Sequence, residues 1–486
     1  MKRIASSLLA LISLAWIAAA GTRAHYGGTL RVSMQSAPDA LVLPAATDPT
    51  AYWDMARLLS LVGDNLVRVD AEDRPHPALA VSWQHDSTAR HWQFTLRRGA
   101  KFHDGSLASA PAIAQILGAL HPNWKVQASQ AFAAAPYSRD VSASGDSLSI
   151  DVDAPAPSLL AELALPRNLI LTRNAAGTPI GTGPFRVTEF QPGKSLKLVS
   201  SDECWSGRPF IDAVEVEFGK SLREEALALE LGRADVVEAT PEAASVRSHA
   251  SSSLPVELLA LVFTTNSNAQ EGPLREALAL SIDRKPIQFA LLKGAAEPTA
   301  SVLPNWITGY GPAFPAEPDL ARAKALLAGS RSQHSRAGAG AASSPAGTAT
   351  RPLTLSYDPR DPQSQLIAER IALNAREVGI TMQVSMSGAD DIRLVRVAVV
   401  TPDPALALRE MAREFAAVEP AVRSNAVDDL YQAERSLLEG NAIIPVFHLP
   451  VAAAVGPRLR DWSPGQLGLW NLADIWLATG RPEDSR

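Results

Sequence analysis

Short runs with a two-residue apolar period alternate with runs of helical period along most of this chain, and that interleaving confines it to a mixed α/β fold. Gly28 to Ser33 alternates like a strand, and Trp92 to Leu96 reads as a strand closed by the turn Arg97-Arg98-Gly99. Leu148 to Val152, Phe185 to Phe190, Ser195 to Val199 and Ala213 to Phe218 follow the same rule between Gly, Pro or Asp punctuation. Between these lie Tyr52 to Leu61, Ala110 to Leu120, Leu222 to Leu231, Leu274 to Ser281, Leu320 to Leu327, Gln363 to Val378 and Val427 to Leu438. Each repeats apolar residues at i, i+3 and i+4, which predicts helices with one buried face. At about 100 to 200 residues per domain, the length allows several separate cores. Residues 329–350 break the pattern: Gly, Ala, Ser and single basic residues leave nothing to pack, which predicts a low-complexity surface insertion without structure.

Residues 1–24 carry Lys2 and Arg3, an apolar stretch from Leu8 to Ala20 and small residues ending at Thr22 and Ala24, the layout of a cleavable secretory signal peptide. That stretch falls short of the ~20 residues a bilayer-spanning helix needs, and no later run matches it. Cleavage after Ala20 and after Ala24 both fit, and no cysteine stands there to take a lipid anchor. The expected product is diffusible in the periplasm. Losing Lys2, Arg3 and Arg23 leaves 42 basic against 51 acidic residues, a formal charge of about −9, which argues against nucleic acid as a partner. The single cysteine, Cys204, cannot form an internal disulfide, so burial alone must hold the cores.

Catalytic patterns are absent. The chain has no Gly-x-Ser-x-Gly elbow, no phosphate-binding P-loop and no His-Glu-x-x-His pair, so no enzyme is expected. Cys204 lies between Glu203 and Trp205 without a basic neighbour to favour its thiolate, and reads as a small semi-buried side chain. The histidine pairs His85 with His91 and His91 with His103 fall on two strands and a turn, so neither a metal site nor a cofactor is expected. Phe102-His103-Asp104-Gly105 has the composition of a tight turn. Gly181-Thr182-Gly183 leads into a strand rather than a helix, so it reads as a structural loop and not a phosphate cradle.

Several spaced segments share one pattern. Ala78 to Trp83 (ALAVSW) and His91 to Ser106 (HWQFTLRRGAKFHDGS) come first, then Gly181 to Pro209 (GTGPFRVTEFQPGKSLKLVSSDECWSGRP) and Leu231 to Val237 (LGRADVV). Leu274 to Ile287 (LREALALSIDRKPI), Gly294 through Pro304, Ala321 to Gly329, Val378 to Val384 and Asn441 to His448 (NAIIPVFH) follow in order. Together they resemble the family-5 extracellular solute-binding proteins, which serve dipeptide, oligopeptide and nickel importers. Most of the matched residues are architectural: Trp83, Trp92, Phe94 and Phe102 are expected in a core, Arg275 and Asp283 in capping or local ion pairing, and Asp283 with Arg284 at the close of their helix.

The resemblance implies a two-lobed α/β binding protein of type II, similar to peptide-binding proteins, with an additional inserted domain. Lobe I would take residues 25–55, 172–262 and 448–486, the inserted domain 56–171, and lobe II 263–447. By this likeness a monomeric receptor closes its lobes on a small solute, possible peptides included, and passes it to an inner-membrane ABC permease. An extended ligand would pair with backbone at Ser33, Met34, Gln35 and Ser36 and with the loop Val399 to Asp403. Peptide-binding members carry an aspartate just before the Asp-Pro of that loop to meet the peptide ammonium; here Val400 stands near that position, followed by Thr401 and Asp403. Trp306 is the candidate aromatic cover, with Asn266 and Tyr310 beside it. Without the loop acid, zwitterionic peptides lose a charge-assisted partner. The competing expectation is a ligand-sensing or chaperone-like interaction protein with a degenerate cleft on the same scaffold.

Overall fold

A computed structural model describes residues 24–130, 146–240, 250–264, 272–310, 314–337, 352–386, 390–462, 465 and 467–478. The expected signal peptide lies almost wholly outside the described residues. An 11-stranded sheet has the order Phe185–Gln191, Ser195–Ser200, Ala213–Glu217, Thr29–Ser33, Val236–Ala239, Ile443–Val455, Ala250–Phe263, Ile392–Ala398, Leu353–Ser356, Met382–Ser385, with Glu297–Pro298 on Ile443–Val455. The fold is two-lobed, and the longest strands of this sheet are the antiparallel pair Ala250–Phe263 and Ile443–Val455, of 14 and 13 residues. At about 3.3 Å per residue such strands run over 40 Å, long enough to serve both lobes. One end pairs Val236–Ala239 with Val455 to Ala452, and the other pairs Glu257 to Phe263 with Ile392–Ala398.

Each lobe contains parallel strands bridged by a helix, as parallel pairing demands. Ala213–Glu217 and Val236–Ala239 both lie parallel to Thr29–Ser33, and helix Leu222–Glu230 connects them. Further along the chain, helix Pro362–Glu377 connects the parallel strands Leu353–Ser356 and Met382–Ser385. A separate four-stranded antiparallel sheet, Ala80–His85, His91–Leu96, Asp146–Asp151 and Lys125–Gln130, carries the core expected around Trp92, Phe94 and Phe102. All three are buried, and Trp83 packs against them.

Local chemistry accounts for the element boundaries. In Ser195–Ser200 every second side chain is buried, the alternation a one-sided core requires. Helix Pro49–Val62 starts with Asp48 accepting from the Ala51 N–H and Pro49 in its first turn; Leu222–Glu230 opens with a reciprocal Ser221/Glu224 capping box. Gly181 and Gly183 are close-approach glycines. A Cβ on either would stand 2.1 and 2.6 Å from the carbonyl oxygens of Val62 and Leu61, so the loop is a packing contact. The Phe102–Gly105 turn is likewise structural: Gly105 takes φ 85°, Asp104 accepts from the Ser106 N–H and hydroxyl, and His103 Nε2 donates to the Gly183 carbonyl.

Two local expectations change. Helix Leu320–Ala337 continues through Gly329 into the stretch expected to lack structure, because the polar residues after Gly329 are adequate helix formers once a packed turn precedes them; residues 338–350 lie outside the described residues. Asp283 and Arg284 do not close the preceding helix, which ends at Ser281. Asp283 instead begins the short turn Arg284–Pro286, and buried Arg284 donates to the carbonyls of Ile282, Ala316 and Pro445. Arg275 stacks over the Phe263 ring at 4.8 Å.

Candidate functional site

A cavity of about 340 Å³ opens between the segment leading into helix Pro49–Val62, the turn Pro166–Asn168 and the end of strand Ile392–Ala398. Leu43, Pro44, Ala45 and Ala46 form one wall, and Tyr52, from the helix they lead into, stands beside them. Leu165 and Arg167 enter from the turn around Pro166–Asn168. The opposite wall is the end of strand Ile392–Ala398 with Val400, and helix Pro404–Glu414 contributes Glu410 and Glu414. The Ala398 N–H donates to the Ala46 carbonyl at 3.0 Å, tying two walls by backbone. Val400 packs against a small apolar cluster of Ala161, Leu165 and Leu406.

Charge on this cavity is concentrated in one network. Arg167 donates to both Glu162 oxygens at 2.7 Å and to Glu410 Oε2 at 2.5 Å, and Arg413 reaches Glu410 Oε1 at 2.7 Å. Burial alone would lower the Arg167 pKa, but the Glu410 hydrogen bond and the Glu162 charge hold it above its usual value. Tyr52 is 5% exposed. Burial, reinforced by Glu410 and Glu414 and opposed by Arg167, holds its phenol well above the ordinary value, so it stays a neutral donor.

The expected ligand residues divide. Val400 lines the cavity. Thr401 and Asp403 are buried behind it: the Thr401 hydroxyl accepts from the Asp403 N–H, and Asp403 caps helix Pro404–Glu414 by accepting from the Leu406 N–H at 2.7 Å. Trp306 donates its indole N–H to the Pro255 carbonyl at 2.8 Å and packs into the core around Val256 and Leu258. The Tyr310 hydroxyl and the Val302 and Leu303 N–H groups all donate to buried Glu434. Asn266 lies outside the described residues.

Ser33 to Ser36 is not brought to the cavity. Ser33 borders a different groove of about 590 Å³, between the sheet and helix Leu222–Glu230. The backbone donors of the next three residues are already taken: Met34 N–H by the Glu217 carbonyl, Gln35 N–H by Glu238 and Ser36 N–H by Asp54. Arg57, itself buried, lies 3.3 Å from Asp54 and 3.5 Å from Glu238 and stacks 4.6 Å from the Trp470 ring. Burial, followed by the Glu238 charge, raises the Asp54 pKa. This buried cluster holds the end of the first strand in place and leaves its amides nothing to offer a ligand.

Sequence reasoning missed Arg167, Glu410 and Glu414, and placed Tyr52 only as the start of an apolar helix. One signal was present. Asp403-Pro404 is a helix opening, and glutamates at 410 and 414 are spaced to share a helix face. Reading Asp403 as the end of a ligand-pairing loop hid the helix that it caps.

Among the described residues, no helix is long and apolar enough to cross a membrane. Residues 74–401 match the model of bacterial extracellular solute-binding proteins, family 5 Middle. The chain is 26% identical over 367 residues to the nickel-binding periplasmic protein of Escherichia coli (strain K12), covering 68% of this chain and 66% of that protein. It is 31% identical over 151 residues to the peptide transport periplasmic protein SapA of Salmonella typhimurium, covering 28% and 27%. In both cases the chain spans less than two thirds of the relative's length. Among solved structures, NikA from Staphylococcus aureus in complex with Ni(L-His)2 superposes with a TM-score of 0.72 at 16% identity, covering 92% of this chain and 99% of that one. DppA from Helicobacter pylori in complex with peptide STSA gives 0.73 at 16% identity, covering 94% and 99%. At that identity the likeness is one of fold.

Proposed function

The chain belongs to the bacterial extracellular solute-binding proteins of family 5, and from that premise we propose that it is an exported periplasmic receptor, not an enzyme, that traps a small solute between its lobes for an ABC importer. The observation that carries this reading is the interlobe cavity, walled by Ala46 and Tyr52, by Leu165 and Arg167, and by Val400, Glu410 and Glu414. These residues come from three distant stretches of sequence, so lobe closure would build the site and opening would dismantle it. In this proposal residues 25–55, 172–262 and 448–486 form lobe I, 56–171 the inserted domain and 263–447 lobe II, and residues 1–24 direct export. Of the sequence-derived ligand residues, Val400 contributes directly; Thr401 and Asp403 hold its loop.

A thermal-shift screen of the mature protein against dipeptides, oligopeptides, sugars, amines and metal chelates tests this. Binding to the folded state alone raises stability by RT ln(1 + [L]/Kd). A saturable shift with one class supports the receptor. No shift with any class, repeated after partial unfolding to strip carried-over solute, refutes it. A second reading, an interaction protein with a degenerate cleft, draws support from the occupied Met34, Gln35 and Ser36 amides. In that case permease genes are absent from the neighbourhood of its own gene.

A further inference from the structure

Resting on the reading of the interlobe cavity as the ligand site, we propose that this cavity selects a compact solute with surplus positive charge, an amine or guanidine on an apolar body, and that Glu414 sets that preference. Among the described residues, the one cation lining the cavity is already spent. Arg167 directs its N–H groups at Glu162 and Glu410, and Glu410 also receives Arg413. Glu414 lines the same cavity, and its carboxylate makes no hydrogen bond or ion pair with any described residue. Counting Glu414 beside this network, the described residues set two guanidinium groups, Arg167 and Arg413, against the three carboxylates of Glu162, Glu410 and Glu414.

Tyr52 supplies an independent sign of a missing partner. Its side chain is 5% exposed, it lines the cavity, and its hydroxyl has no hydrogen bond to a described residue. A hydroxyl left without a protein partner beside such a cavity is met there by water or by a ligand atom. An anionic solute would meet Glu414 with no uncommitted cation to offset it, whereas an ammonium or guanidinium could donate to Glu414 and Tyr52 together. Leu43, Leu165 and Val400 would cover the apolar remainder. A volume of about 340 Å³ lies near the small end for ligand pockets, which favours a compact solute over a long peptide. The acid that the second-lobe loop lacks at Val400 is thus provided from the helix that follows it.

Isothermal titration at low salt compares putrescine, agmatine and L-arginine methyl ester with glutarate, N-acetyl-L-aspartate, alanyl-alanine and maltose. The expected result is saturable binding of a cationic probe, weakened by added salt. Glu414→Gln should reduce that affinity tenfold or more and Tyr52→Phe by a smaller factor, with urea melts establishing that both variants fold. If an anionic, neutral or zwitterionic probe binds and no cationic one does, the charge preference is wrong while the receptor reading stands. Unchanged affinity in folded Glu414→Gln also overturns it. Absence of binding by every probe, together with a silent thermal-shift screen, refutes the receptor reading and this inference with it.

Discussion

Replacing Glu225 with glutamine should flatten the dependence of stability on pH. Glu225 is the buried residue of helix Leu222–Glu230; its side chain has no exposure, and neither carboxylate oxygen has a hydrogen-bond partner. Burial, followed by the charges of Glu238 and Asp54, pushes its pKa from 4.5 up to about 11, with Arg57 pulling the other way. The folded protein therefore keeps this group protonated across the neutral range, while the unfolded chain ionises it above pH 4.5. Because the folded state then binds more protons, stability is greatest below pH 4.5 and falls as pH rises toward 11. At about 1.4 kcal/mol per pH unit, this residue removes up to about 4 kcal/mol between pH 5 and pH 8. Glutamine keeps the shape and cannot ionise. Urea unfolding followed by tryptophan fluorescence at pH 5, 6, 7 and 8 reads the difference. A constant offset between the proteins reports only the hydrogen bonding of the amide, whereas a gap that widens with pH in favour of E225Q reports the ionisation. Parallel pH profiles would refute the assignment of a neutral carboxyl at this site.

Four further outcomes are expected. Arg167→Met should cost about 1–3 kcal/mol in urea melts, because it removes the guanidinium shared by Glu162 and Glu410, and the cost stays modest because the side chain is 35% exposed and the two carboxylates keep Asn168 and Arg413; an unchanged midpoint would remove Arg167 as a link between segments. Asp403→Ala should lose about 1–2 kcal/mol and Asp403→Asn only a few tenths, since asparagine still caps, and equal losses in thermal melts would contradict the capping role. Gly181→Ala should cost about 3 kcal/mol or more, read as loss of soluble yield, given the 2.1 Å approach to the Val62 carbonyl oxygen; a normal yield would show that the loop can move away. His448 is buried, donates to the Val302 carbonyl and has its pKa lowered from 6.5 to about 4 by burial. Its unfolded form takes up a proton first, so stability conferred by the neutral ring is present above pH 6.5 and lost as pH falls toward 4, a slope that His448→Phe should abolish in the same titration.

How far the fold could be read depended on whether an element buries one face or two. Ser195–Ser200 and His91–Leu96 bury alternate residues, so a two-residue period revealed them. Ala250–Phe263 and Ile443–Val455 are buried on both faces for much of their length and show no such period. Pro255, Pro445 and Pro450 further disguised them; these prolines are accommodated in strand pairing that shifts register near Pro255 and between Leu259 and Ala260. The two strands that join the lobes were therefore the least visible part of the main sheet.

The candidate site separates along the same line. By itself the sequence determined the α/β class, the helices with one apolar face, the family pattern, and the absence of an acid at Val400, because each is written in neighbouring residues or in short motifs. Only the tertiary structure decided that Gln35 and Ser36 spend their amides on Glu238 and Asp54, and that Arg167 meets Glu410 across 243 positions of sequence. It also decided that Glu414 and Tyr52 line one cavity, with neither the carboxylate nor the hydroxyl hydrogen-bonded to a described residue. Period and propensity report on an element's own neighbours. Whether a charged group is spent or left open to a ligand depends on what long-range folding brings against it.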